Sequence, residues 1–173
     1  MNRIAAIVPA AGLGTRMGGD QPKQFLELDG VPLIIFTLRR LAACAAITEF
    51  VIATRGEDVA ALQEKVAGAG LGRPARVIQG GSTRQQSVGN ALGYVDAATE
   101  IVLVHDAVRP FATTAQVDRV IAEARLRGAA ILGIPAIDTV KEVKRASLPE
   151  DVALISATIQ ADSRALQIGR AHV

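Results

Sequence analysis

Short apolar runs alternate along the chain with segments of helical spacing. "RIAAIVPA" (3–10), "EFVIATR" (49–55), "ARVIQG" (75–80), "EIVLVHDA" (100–107) and "AAILGIPA" (129–136) each have the length of a strand buried on both faces. Between them the apolar positions fall three or four apart. Pro32 opens a helix through Leu33, Ile34, Leu38 and Leu41. "GEDVAALQEKVAGAG" places acids in a first turn and glycines past a last one. A third helix is expected from about Thr83 to Val95, with Val88, Ala91, Leu92 and Val95 on one side. Thr114 is expected to cap a fourth, carrying Val117, Val120, Ile121 and Ala124.

Strands separated by helices of this size predict right-handed crossovers and a doubly wound α/β domain with a mostly parallel sheet. Ligands of such sheets sit beyond the carboxyl ends of the strands, so "PAAGLG", "QGGSTR", "HDAVRP" and "PAIDTVK" are expected along one rim. After Ile137 the pattern changes to the alternation of an exposed two-stranded ribbon, "DTVKEVKRA" and "VALISATI" around "SLPED". A projecting β-arm is therefore expected over about 138–158. No internal repeat, low-complexity tract or linker divides the chain, so residues 1–166 are read as one domain.

Composition narrows the partners. Nineteen basic and 17 acidic residues give a formal net charge of +2, too little to select nucleic acid or an acidic membrane surface. Aromatic residues make up 3% with no Trp, which leaves little for stacking on unpaired bases. Cys44 is the single cysteine, so neither an intrachain disulfide nor a multi-cysteine zinc site is available; "LAACAAI" reads as a buried helix face. The N-terminal apolar run is too short for a membrane span. The expectation is a soluble cytoplasmic chain with no nucleic-acid or membrane partner.

The chemistry concentrates in "PAAGLGTRMGGDQPKQF" (9–25). Gly12 and Gly14 after a strand are a weak signal alone, and Met17 stands where a dinucleotide fingerprint needs its third glycine. Arg16 and Lys23 raise it: glycines let backbone N–H groups close on phosphate oxygens, and two fixed cations hold charge that grows at phosphorus. Arg16 offers a planar fork, Lys23 a compact point charge. Asp106 ends a strand so apolar that its carboxylate needs a partner, whether Arg109, a cation or a ligand hydroxyl. His105 is assigned no role; a satisfied histidine is favoured over a catalytic base, because an ionised phosphate nucleophile needs no deprotonation.

Together, "PAAGLGTRM" and "PKQF" resemble the signature of sugar-phosphate nucleotidyltransferases. "GGSTRQQSV", "VHDAVRPF" and "DTVKEV" resemble segments of the 2-C-methyl-D-erythritol 4-phosphate cytidylyltransferases, over about Ile4 to Thr158. Ribitol-5-phosphate cytidylyltransferases share much of this pattern. The resemblance implies a Rossmann-like sheet of the nucleotidyltransferase type. It also implies transfer of CMP from CTP to a polyol phosphate, with release of pyrophosphate and Mg²⁺ present, for isoprenoid precursor synthesis. In those terms Arg16 and Lys23 are the catalytic cations, and Pro9, Ala10, Ala11, Gly12 and Gly14 cradle the triphosphate. Gly80, Gly81, Ser82 and Ser87 contact the base, while Arg84 holds their loop. Ser87 has a rival role, an early-helix hydroxyl serving a backbone group. Asp106 is implied to contact ribose or Mg²⁺ and the acceptor, with a structural Asp106–Arg109 pair as its rival. Arg109, Thr139 and Lys141 are implied to bind the acceptor, and a homodimer is implied through the β-arm.

Beyond the arm the sequence departs from the family. Its members continue through further acceptor-site positions, whereas here Gln160 and Ala161 break the expected pattern, and Arg164 is given no role. Residues 1–166 are thus expected to form a domain incomplete at its C-terminus. "QIGRAHV" (167–173) is expected to be a non-native tail, because it back-translates to a sequencing-adapter oligonucleotide at all but the first base. Two other function classes remain in view. A noncatalytic nucleotide-binding module would bind CTP without turnover. An NAD-dependent dehydrogenase is disfavoured by Met17 and by Thr54 and Arg55, which stand where an acidic ribose ligand is sought.

Overall fold

The computed structural model of the chain describes residues 3–12, 22–133, 140–144 and 154–159. Four parallel strands form its main sheet: β1 (Arg3–Pro9), β4 (Glu49–Thr54), β5 (Ala75–Gln79) and β6 (Thr99–Val104), in the order β5-β4-β1-β6. Two short strands, β2 (Glu27–Leu28) and β3 (Val31–Pro32), pair as an antiparallel hairpin. Its two-residue turn, Asp29 and Gly30, has φ values of 51° and 73°, the double positive φ for which an Asp-Gly pair is suited.

Strand residues alternate between two cores. Ile4, Ala6 and Val8 of β1 join Phe50 and Ile52 of β4 and Val77 of β5 on one face. Helices α1 (Leu33–Ala42), α2 (Val59–Ala67) and α4 (Thr114–Arg127) cover it with Leu38, Leu62, Val66, Val117 and Ile121. Ile7, Val51, Ala53 and Ile78 face the other way, against Ala91 and Val88 of α3 (Arg84–Leu92). Helices on both faces make this the doubly wound α/β layout that the apolar runs predict.

Helix starts follow local chemistry. Thr83 caps α3 by accepting from the Gln86 N–H, and Thr113 forms a capping box with Gln116 at α4. The cap of α4 is thus Thr113, one residue before the expected Thr114; only a residue with extended backbone, here ψ 153°, can aim its hydroxyl back at the first turn. Helix α2 starts at Val59, after a 3₁₀ turn over Gly56–Asp58.

Two further expectations need correction. Within 129–136, the described residues 129–133 form no strand, and Ile131 and Leu132 are 61% and 58% exposed. Apolarity alone does not make a strand; a ladder partner is required, and residues 129–133 have none among the described residues. Cys44 lies just past α1 rather than on its face. Its buried thiol donates to Asp118 Oδ1 at 3.0 Å, and burial, together with that carboxylate, pushes its pKa up, so it is a poor nucleophile.

The chain divides into two units, residues 1–130 and 131–173. In the second, β7 (Val140–Lys144) and β8 (Leu154–Ile159) pair antiparallel with an irregularity between Glu142 and Val143, which is the expected ribbon. No helix among the described residues is long and apolar enough to cross a membrane.

Leu38 is fully buried on the α1 face. Leu38→Ala is expected to lower unfolding free energy by about 2–5 kcal/mol, read from urea denaturation followed by circular dichroism.

Candidate active site

Strand order reverses at β1. The chain runs from β1 to β4 to β5 on one side, then crosses back to β6 on the other. The carboxyl ends of β1 and β6 therefore diverge into connections that cannot fill the space between them, the usual place for a ligand in such sheets. A cleft of about 400 Å³ opens there.

Three loops and a turn line it. From β1 come Pro9, Ala10, Ala11 and Gly12. Between β5 and α3 lie Gly81, Ser82, Thr83 and Arg84, with Ser87 behind them. After β6 come Asp106, Ala107, Val108 and Arg109, and the 3₁₀ turn Lys23–Phe25 adds Lys23 and Gln24. Sequence-predicted residues of three separate loops thus share one cavity, while Gly80 lies behind its lining. Gly14, Arg16 and Thr139 lie outside the described residues, and Lys141 is in β7.

The β5–α3 loop is tied by side chains to its own backbone. Ser87 is buried, accepts from the Gly81 N–H at 3.0 Å and donates to the Thr83 carbonyl at 2.9 Å. Its hydroxyl therefore holds the loop from below, the geometry of an early-helix serine serving the backbone. Gln86 Oε1 accepts from both Ser82 N and Ser82 Oγ, at 3.0 and 2.7 Å. The packing requires glycines: a Cβ on Gly81 would sit 2.3 Å from Gln86 Cβ, and one on Gly80 would meet Ser87 Oγ at 2.8 Å and Ala11 Cβ at 3.0 Å. Gly80 is thus where the β1 and β5 loops touch.

Asp106 organises the opposite wall. Arg84 Nη2 and Nε donate to its Oδ1 at 3.0 and 3.2 Å, and Arg109 Nε forms an ion pair with Oδ2 at 2.8 Å. Partial burial alone would push the carboxyl up; the hydrogen bonds and charges of Arg84 and then Arg109 outweigh it and hold the pKa below the ordinary value. His105 Nε2 lies 3.0 Å from the Arg109 carbonyl, which gives one ring nitrogen a partner. Thr37, fully buried in α1, donates to the Ala107 carbonyl at 2.7 Å and pins this loop to the helix below.

Sequence reasoning missed Gln24 and Thr37 as structural supports of the site. Gln24 is 4% exposed, and its Nε2 donates to the Ala10 carbonyl at 2.7 Å. Lys23, next to it, is half-buried; its carbonyl accepts from the Leu26 N–H, but its ammonium has no hydrogen-bond or ion-pair partner among the described residues. An unpaired ammonium beside a glycine loop suits an anion.

A family model described as 2-C-methyl-D-erythritol 4-phosphate cytidylyltransferase matches residues 4–161. The chain belongs to that family. It is a family of nucleotidyltransferase enzymes. The chain is 47% identical over 163 residues to the 2-C-methyl-D-erythritol 4-phosphate cytidylyltransferase of Acidobacterium capsulatum, covering 91% of this chain and 67% of that one. It is 43% identical to the enzyme of the same name from Solibacter usitatus, covering 91% and 71%. Among solved structures, the 4-diphosphocytidyl-2C-methyl-D-erythritol synthase of Anaerococcus prevotii superposes with a TM-score of 0.74 at 26% identity, covering 92% of this chain and 65% of that one. The chain therefore spans about two-thirds of the length of these relatives.

Among the described residues, the cleft offers Mg²⁺ few protein ligands. Asp106 is the only carboxylate lining it among the described residues, both of its oxygens face arginines, and those residues contain no cluster of three or more His, Cys, Asp or Glu that would hold a metal. The described donor set does not by itself build a resident metal centre. It does fit an ion that arrives on a polyphosphate and keeps most of its ligands there.

Because the folded pKa of Asp106 is depressed, its contribution to stability is complete above the unfolded carboxyl value of about 4 and is lost as pH falls through the folded value. Asp106→Asn is expected to lower the denaturation midpoint at neutral pH. Midpoints measured between about pH 6 and pH 2 should show its gap from the unaltered protein closing with acid.

Proposed function

We propose that this chain transfers CMP from CTP to 2-C-methyl-D-erythritol 4-phosphate, with pyrophosphate as the second product. The observation that carries the reading is the convergence of the β1 glycine loop, Lys23, the β5–α3 glycine loop and the Asp106–Arg109 loop on one cleft where the strand order reverses.

An oxygen of the acceptor's phosphate forms the new bond to the α-phosphorus of CTP. The bond from that phosphorus to the bridging oxygen breaks, and its electron pair leaves with pyrophosphate. An ionised phosphate needs no general base, which leaves the protein positioning and charge stabilisation. Lys23, unpaired and half-buried at the cleft, meets the charge that builds on the phosphoryl oxygens, and Arg16 is its proposed partner. The backbone of Ala10, Ala11, Gly12 and Gly14 receives the triphosphate, and Gly80, Gly81 and Ser82 form the wall for the base.

Asp106 Oδ2 pairs with Arg109 and keeps acceptor capacity for a hydroxyl of ribose or acceptor. Arg109 remains 62% exposed, free to turn a second N–H toward the acceptor, with Thr139 and Lys141 as further acceptor contacts. Mg²⁺ is proposed to enter on the triphosphate, where it neutralises part of the charge. The β7–β8 ribbon forms its own two-stranded sheet and is proposed as the homodimer arm of a cytoplasmic enzyme.

Pyrophosphate release from CTP, assayed separately with methylerythritol phosphate and with ribitol 5-phosphate, tests the function; turnover is expected with the first. No release with either acceptor while CTP still binds would point instead to a noncatalytic nucleotide-binding module. Lys23→Ala is expected to lower turnover by about a hundredfold or more, and wild-type turnover in that variant would remove Lys23 from the chemistry. Sedimentation velocity should show a dimer that becomes a monomer when residues 138–158 are deleted.

A further inference from the structure

We propose that Gln24 is a positioning residue for Lys23. It fixes the spacing between that ammonium and the β1 glycine loop, and the inference rests on the nucleotide-binding reading of the same cleft. Ala10 is where β1 gives way to the loop, and its peptide is held from two directions. Its N–H donates to the Ala53 carbonyl of β4 at 2.7 Å, which ties it to the sheet. Its carbonyl accepts from Gln24 Nε2 at 2.7 Å, across fourteen positions of chain. Gln24 thus joins the departure of the loop from the sheet to the turn that brings the chain back to the cleft.

The return is itself anchored. Pro22 precedes the turn with an extended ψ of 137°, Phe25 N–H donates to the Pro22 carbonyl at 2.9 Å, and the Phe25 side chain packs on the α1-side core. Phe25 fixes the turn to the core, and the Gln24 amide ties it to the start of the glycine loop at Ala10. A glutamine 96% removed from solvent has given up its hydration, and this bond to Ala10 restores part of it. Its neighbour Lys23 is held to no carboxylate among the described residues, so its location depends on the backbone that Gln24 secures. Stabilisation of developing charge requires donors to be in place beforehand, and a displacement of about 1 Å can cost a hundredfold in rate.

The test is a double-mutant cycle on the full chain, with Gln24→Met, Lys23→Ala and the pair, read by CTP titration and by pyrophosphate release. Methionine fills a similar volume and removes the donor. Gln24→Met is expected to weaken CTP binding about threefold to tenfold and to cut turnover by about tenfold or more. In the Lys23→Ala background the same change should have little further effect on either quantity.

A second variant, Gln24→Glu, donates to the Ala10 carbonyl only when protonated. Its CTP affinity, taken as a ratio to the unaltered protein at each pH, should climb as pH falls. Equal losses from Gln24→Met with and without Lys23, together with a flat Gln24→Glu ratio, would overturn the proposal and reduce Gln24 to a general support of the fold. Failure of the unaltered chain to bind CTP, seen before any substitution, would defeat the functional reading itself.

Discussion

The whole site depends on one constraint of parallel sheets, that adjacent strands send their following connections out at the same end. Where the order turns back at β1, those connections leave in opposite directions, and the space between them stays open. The two cores hold this opening in shape. Ile7, Val51 and Ala53 lock the strands to α3 on one side, and Val8, Ile52 and Leu38 lock them to α1 on the other. The loops can be rich in glycine and charge because the strands beneath them are almost wholly apolar.

The loops are cross-tied as well as supported. Gln24 reaches from the returning turn to the start of the glycine loop, Ser87 and Gln86 brace the β5–α3 loop, and Thr37 reaches from α1 to Ala107. Each is a side-chain bond to backbone, which fixes where main-chain groups lie without occupying the cleft. The division of labour suits phosphoryl transfer, in which the protein contributes placement more than covalent chemistry.

The strands and the glycine loops were legible in the chain because their signals are local. β1, β4 and β5 are short runs apolar on both faces, and "QGGSTR" announces a tight loop before a capped helix. What escaped was long-range. Gln24 looks like any polar residue beside a lysine until β1 brings the Ala10 carbonyl to it, and Thr37 looks like an ordinary mid-helix hydroxyl until the loop seventy positions later lies above it. The run 129–133 differs in the opposite sense, since its apolar character is genuine but it pairs with no strand among the described residues. The Asp-Gly turn of the β2–β3 hairpin lies in "LELDGVP", but strands of two residues carry too little alternation to mark a hairpin.

One carboxylate shared between two guanidinium groups cannot neutralise both. With Lys23 added, the described wall of the cleft carries three cations against Asp106 alone, an excess of two positive charges in a confined space. A basin of that sign draws a polyanion inward before any contact forms, over a range near the Debye length of about 8 Å at physiological salt. The Asp106 bridge holds both guanidinium groups at the same wall and leaves a net positive charge there.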